Sequence, residues 1–194
     1  LNNFNMNLFS QGQYVQALQK NTDAEVISKV LYPADNHVEG KRLRLKQQYL
    51  LVSASLQSIL RRHFKKYHTY DNLADKVAIH INDTHPALCV PELMRLLMDE
   101  QGYGWDEAWH ITTNSVAYTN HTVMGEALEK WPLDLLRSVV PEIVDIICRI
   151  DEKLKSEHPN LFIVKDNTAH MANLSVYVGT YVNGVAEIHS QILK

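Results

Sequence analysis

Lys76-Val77-Ala78-Ile79-His80-Ile81 is short and rich in β-branched residues, and it runs into Asn82-Asp83-Thr84-His85-Pro86 before Pro91-Glu92 opens a helical pattern that continues to about Glu100. The first run reads as a buried strand, the second as a polar turn, and the third as a helix whose proline stands in the first turn, where a missing N–H costs nothing. Strand, polar turn, helix is the rhythm of an α/β fold. A second unit follows the same order: Trp105 to Trp109 as a short helix, Ile111 to Tyr118 as extended chain, Thr119-Asn120-His121-Thr122 as a polar turn, and a helix from about Gly125.

Around these units the chain reads as helix-rich. Tyr14, Ala17, Leu18, Val26, Ile27, Val30 and Leu31 recur at three and four spacing and predict an amphipathic helix stopped by Pro33. Residues 34–40 are polar and predict an exposed loop. From Glu39 to about Lys66 a longer helix is expected, its basic end suited to the helix dipole. Pro132 and Pro141 divide later helical pieces, of which Pro141 to Glu157 is the longest. The last part predicts a helix near Thr168 to Tyr177, extended chain at Thr180 to Val182, a turn at Asn183-Gly184 and a helix to Lys194.

The 194 residues are 45% hydrophobic and 21% charged, with a net charge of -3. That apolar content supports a sizeable core, and the charge gives no general pull toward nucleic acid or anionic lipid. No apolar run reaches the roughly 18–20 residues of a membrane helix. Cys89 and Cys148 sit among apolar residues without metal-ligand or disulfide spacing, so buried reduced thiols and a cytoplasmic setting are expected. The chain begins without methionine and ends in a helical pattern at Ile192-Leu193-Lys194, which reads as an internal piece of a longer protein.

In an α/β sheet, ligands bind beyond the carboxyl ends of the strands. The loops there are Asn82 to Pro86 and Thr119 to Thr122, each joining an amide or carboxylate to a histidine. Such groups can bond several sugar hydroxyls, form an acid/base pair, or hold a metal through Asp83, His85 and His121. Asp83 can equally be a helix-capping turn residue. Arg61 and Arg62 can grip a phosphate or simply end a helix favourably. Trp105, Trp109 and Trp131 stand at helix positions beside apolar residues and read as packing.

Longer strings carry more information than these spacings. Val30-Leu31-Tyr32-Pro33, Glu39-Gly40-Lys41, Leu43-Arg44-Leu45-Lys46-Gln47, Asn82-Asp83-Thr84-His85-Pro86, Pro91-Glu92-Leu93-Met94-Arg95, Ala117-Tyr118-Thr119-Asn120-His121-Thr122, Glu126 to Pro132 and Asn183 to Ser190 resemble, in order, the α-glucan (glycogen or maltodextrin) phosphorylase family. The resemblance implies part of the N-terminal domain of a GT-B-type, Rossmann-like doubly wound enzyme. It implies a retaining glycosyltransferase that uses inorganic phosphate to release glucose 1-phosphate from an α-1,4-glucan. Pyridoxal 5'-phosphate is the implied cofactor, its lysine lying in a second domain with no counterpart in these residues, so that this chain alone is expected to be inactive.

By motif, the resemblance implies substrate contacts and no acid, base or nucleophile. Asp35 and Asn36 fall in a loop at about 34–40 that gates the site, with Asn36 bonding the glucosyl unit. His121 bonds the sugar, partly through its carbonyl. Asp83 and His85 line the adjoining pocket with Arg44 and Glu129, and Val185 contributes a backbone contact. The loop departs from the animal pattern, where two aromatics follow the amide and His37-Val38 stand here. The helix at about 12–31 resembles one that meets its equivalent across a homodimer, and Arg61 and Arg62 match arginines that bind a nucleotide activator in animal enzymes. The rivals from other classes are a metal hydrolase and a non-catalytic carbohydrate-binding module.

Overall fold

The computed structural model describes residues 4–187. The chain divides into two compact units, one ending at Gln47 and one beginning at Gln48.

In the first unit, α1 (Met6–Ser10) is capped by Asn5, whose side chain accepts from Leu8 N at 3.1 Å. It is followed by α2 (Tyr14–Lys29) and the first part of α3 (Val38–Tyr67). Gln47 closes the end of α2, its amide donating to the Ile27 and Val30 carbonyls at 2.9 and 2.7 Å and satisfying acceptors that a helix end leaves without partners. The expected amphipathic face of α2 is only partly used within the described residues: Ala17 is buried, while Tyr14, Leu18, Val26, Val30 and Leu31 are exposed. The expected loop at 34–40 is shorter than its polarity suggests. His37 caps α3 by accepting from Gly40 N at 2.9 Å, and Val38, Glu39 and Gly40 are already its first turn. Gly40 is required there, because a Cβ would fall on the Ala34 carbonyl oxygen.

The second unit holds two small sheets. In the first, β1 (Ile79–Asn82), β2 (Val116–Asn120) and β6 (Val182–Gly184) run parallel in the order β1-β2-β6. In the second, β3 (Lys130–Pro132), β4 (Val164–Lys165) and β5 (Thr168–His170) pair antiparallel in the order β3-β5-β4. The strand reading at 76–81 is right in kind, but Lys76 ends the short α4 (Leu73–Lys76) and His80 and Asn82 face outward, so β1 is buried on one face only.

The core lies around α5 (Cys89–Arg95), in which Cys89, Val90, Pro91, Glu92, Leu93 and Met94 are all buried. It continues into a π-helical turn, Leu96–Glu100. Against α5 pack α6 (Trp105–Ser115) and α8 (Pro141–Glu157), the latter with Ile143, Val144 and Ile147 among its buried residues. These recur at helical spacing, and each buried Ile or Val contributes about 1.5–3 kcal/mol of hydrophobic stabilisation. Burial pushes the Cys89 thiol up to about 12, as expected for an inert core cysteine, whereas Cys148 is only half-buried.

Four boundaries differ from the sequence reading. Ile111 to Ser115 are helical, because Ile111, Thr112 and Ser115 form the buried face of α6 and packing outweighs β-propensity. No long helix begins at Gly125; a single 3-10 turn, Gly125–Ala127, leads into β3. Thr168 to His170 are strand, held by β3 and β4, and the helix there is α9 (Met171–Val178). Asn183 and Gly184 are strand residues paired with Thr119 and Asn120 rather than a turn. The helix expected toward Lys194 lies mostly outside the described residues. Between α7 (Leu133–Val139) and α8 the division at Pro141 is as expected.

Candidate functional site

The carboxyl ends of all three parallel strands carry polar groups. Because partners in a parallel pair share a face, the registers His80 with Ala117, Asn82 with Thr119, and Thr119 with Asn183 place His80, Asn82, Thr119 and Asn183 on one face. Ile81, Tyr118 and Asn120, all fully buried, occupy the other.

On the polar face a bonded row crosses the sheet. Thr119 Oγ1 donates to Asn183 Oδ1 at 2.7 Å, so its single proton is spent and it accepts from His80 Nε2, also at 2.7 Å. One step nearer the carboxyl ends, His121 Nε2 donates to Asn82 Oδ1 at 2.5 Å.

Asp83 follows β1 with φ of 62°, in the left-handed region that Asp tolerates better than most residues. Its backbone N–H still donates to the Thr119 carbonyl at 2.9 Å, extending the ladder. Its carboxylate accepts from Thr84 N at 2.6 Å, and Thr122 Oγ1 stands 3.3 Å from Oδ2. The helix-capping reading of Asp83 is not met: α5 follows Leu88 with no side-chain cap, and the Asp83 carboxylate accepts from its own next residue instead, leaving Oδ2 with acceptor capacity. Burial first, then the nearby charges of Asp83 and Glu129, raise the Tyr118 hydroxyl, which stays protonated and donates to Asn120 Oδ1 at 3.1 Å.

Val185, directly after β6, donates its N–H to the Asn120 carbonyl over a long 3.4 Å. Glu129 Oε1 accepts from Trp131 Nε1 at 2.6 Å. Gln48, with its amide nitrogen turned toward acceptors, donates to Glu129 Oε1 at 3.2 Å and to the His85 carbonyl at 3.3 Å. One residue of α3 thereby joins two of the expected contacts.

The structure therefore brings together Asp83, His121 and Val185 at three neighbouring strand ends, and links His85 to Glu129 through Gln48. Asp35, Asn36 and Arg44 belong to the first unit. There Arg44 Nη1 pairs with Asp35 Oδ2, with the guanidinium 5.7 Å from the Tyr32 ring centroid, while Asn36 is exposed. Arg61 lines an open cleft of about 250 Å³ with Gln57, Phe64, Tyr70 and Glu100; Arg62 is exposed outside it. Trp131 is buried, but Trp105 and Trp109 are half-buried and stack on each other at 6.3 Å, with Arg149 3.8 Å above Trp105. Asp83, His85 and His121 do not converge as metal ligands, and no three His, Cys, Asp or Glu side chains do so among the described residues. The metal-hydrolase reading loses its ligand set. No helix among these residues is long and apolar enough to cross a membrane.

A family model described as carbohydrate phosphorylase matches residues 1–194. The chain belongs to the carbohydrate phosphorylase family. Among similar proteins, the H isozyme of alpha-glucan phosphorylase from Solanum tuberosum is 47% identical over 98% of this chain, and the glycogen phosphorylase of Bacillus subtilis is 50% identical over 89% of it. The muscle form of glycogen phosphorylase from Homo sapiens is 44% identical over the whole chain. This phosphorylase chain spans about a quarter of the length of these relatives, 25%, 23% and 26% respectively.

Asn82, Thr119 and Thr122 lie in loops that the sequence reading named without assigning these residues a contact; Asn183 and Gln48 it left out of the site. Asn82 had a readable signal: in Ile79-His80-Ile81-Asn82, strict alternation marks a strand with one polar face. Nothing local marks Gln48, which reaches its partners only through folding.

Proposed function

We propose that this chain supplies sugar contacts of an α-1,4-glucan phosphorylase. The observation that carries the reading is the convergence of Asn82-Asp83, His121-Thr122 and Val185 at the ends of three parallel strands. Carboxylate, imidazole, amide and backbone groups at such a place suit a ring bearing several hydroxyls. In the reaction, an oxygen of inorganic phosphate replaces the glycosidic oxygen at the anomeric carbon with retention. The C–O bond to the shortened glucan breaks, and the departing 4-oxygen takes a proton.

The role of these residues is to hold the glucosyl unit. Asp83 accepts a hydroxyl proton through Oδ2, His121 bonds through its ring and carbonyl, and Val185 contributes backbone. His85 and Glu129 line the adjoining pocket and are braced by Gln48. Asp35 and Asn36 gate entry, with Arg44 restraining Asp35. Pyridoxal 5'-phosphate belongs to the whole enzyme, where it supplies acid/base chemistry through its phosphate. The strand-end side chains named above include no lysine or arginine, so this cluster does not fit a phosphate-bearing cofactor.

The parallel β1-β2-β6 sheet supports the wider reading of a partial GT-B-type N-terminal domain. The exposed Tyr14, Val15, Leu18 and Val26 support α2 as a homodimer contact. The reading places the enzyme in the cytoplasm, and Arg61 remains a candidate phosphate contact in its cleft. Phosphate-dependent release of glucose 1-phosphate from glucan by the intact protein tests the proposal; its absence contradicts it. The 194-residue chain alone is expected to show no turnover, since half a cleft admits water and lacks the reacting groups.

A further inference from the structure

The sheet geometry points to Asn82 as a positioning residue that fixes the tautomer of His121 and so makes that ring a hydrogen-bond acceptor toward substrate.

Asn82 pairs in register with Thr119, and His121 stands two residues beyond Thr119 along the same strand direction, so period-two alternation puts the two side chains on one face. An amide oxygen can only accept. The 2.5 Å contact between Asn82 Oδ1 and His121 Nε2 therefore assigns the proton of a neutral imidazole to Nε2. Nδ1 is left with a lone pair and without a hydrogen-bond partner among the described residues, on an exposed side chain. The backbone under Asn82 is held by the strand pairing and by the Asp83 N–H to Thr119 carbonyl bond, so the acceptor is presented on a rigid element. A ligand group that meets Nδ1 must donate, as a sugar hydroxyl does and a phosphate dianion does not. This inference rests on the proposed sugar-binding role of the strand-end cluster.

The test uses the intact enzyme labelled with nitrogen-15 at histidine, together with Asn82→Asp and Asn82→Leu variants. His121→Asn identifies the resonance by its loss. The Nε2–H tautomer is expected in the unmodified enzyme and in Asn82→Asp, which keeps an acceptor, and a tautomer mixture is expected in Asn82→Leu. Loss of one neutral hydrogen bond to substrate gives an expected three- to tenfold drop in kcat/KM for Asn82→Leu, with activity largely restored in Asn82→Asp. An Nδ1–H tautomer in the unmodified enzyme, or an unchanged Nε2–H tautomer in Asn82→Leu, overturns the inference. Addition of maltoheptaose separates the two claims. If the tautomer depends on Asn82 while Nδ1 does not respond to bound sugar, the acceptor role falls; if maltoheptaose does not bind at all, the sugar-binding reading falls.

Discussion

Arg95 grips the wholly buried carboxylate of Glu92 with two guanidinium bonds, Nε to Oε2 at 2.8 Å and Nη2 to Oε1 at 2.9 Å. Tyr49 and Ser53, from α3, donate to the same carboxylate at 2.8 and 2.7 Å. Every acceptor of a charge placed inside the core is thus occupied. Removing one partner of such a group leaves the other uncompensated. Arg95→Ala is expected to cost about 3–5 kcal/mol, read by thermal or denaturant unfolding.

The same cluster predicts a pH dependence. Burial alone pushes the Glu92 carboxyl upward, but the bonds from Arg95, Ser53 and Tyr49 outweigh it and hold the group below its ordinary value of 4.5. A carboxylate depressed in the folded state contributes stability that is fully present above the unfolded value and is lost as pH falls through the folded one. Thermal stability is therefore expected to fall below about pH 4.5. Glu92→Gln should flatten that part of the profile; an identical acid slope in the variant contradicts the assignment.

Gly40→Ala tests how the residues before α3 are held. The added methyl would occupy the position of the Ala34 carbonyl oxygen, so the loop or the first helical turn must move. The expected cost is about 1–3 kcal/mol, in the range of overpacked sites, with faster proteolysis between residues 34 and 40. Unchanged stability and cleavage would show that the close approach is not maintained in solution.

Strand β1 and helix α5 were legible because their signals are local: the β-branched run up to Ile81, the polar Asn82-Asp83, and Pro91 in a first turn. The antiparallel sheet was not, since Thr168 to His170 read as helix. What misled was propensity without packing. Ile111 looks like strand by composition but joins the buried face of α6, and Asn183-Gly184 looks like a turn but pairs with β2. At the site, Asp83 and His121 could be named from motif. Gln48 could not, since its partners His85 and Glu129 lie far along the chain. The apolar spacing of α2 was read correctly as helix, yet spacing alone does not say what covers the face.

Asp83 separates fold from function. Asn shares its tolerance of the left-handed region, so Asp83→Asn should keep stability within about 0.5 kcal/mol. It loses the charge that a sugar hydroxyl meets, and kcat/KM of the intact enzyme for glucan should fall at least about tenfold. Asp83→Val adds backbone strain of about 1–3 kcal/mol, visible as lower thermal stability.

The most direct measurement is a crystal structure of the intact enzyme with a maltooligosaccharide bound. The account predicts a glucosyl ring at the carboxyl ends of β1, β2 and β6, with one hydroxyl within about 3.2 Å of His121 Nδ1 and another within that distance of the Asp83 carboxylate. A sugar bound in the catalytic cleft with no contact to Asp83, His121 or Val185 would contradict it.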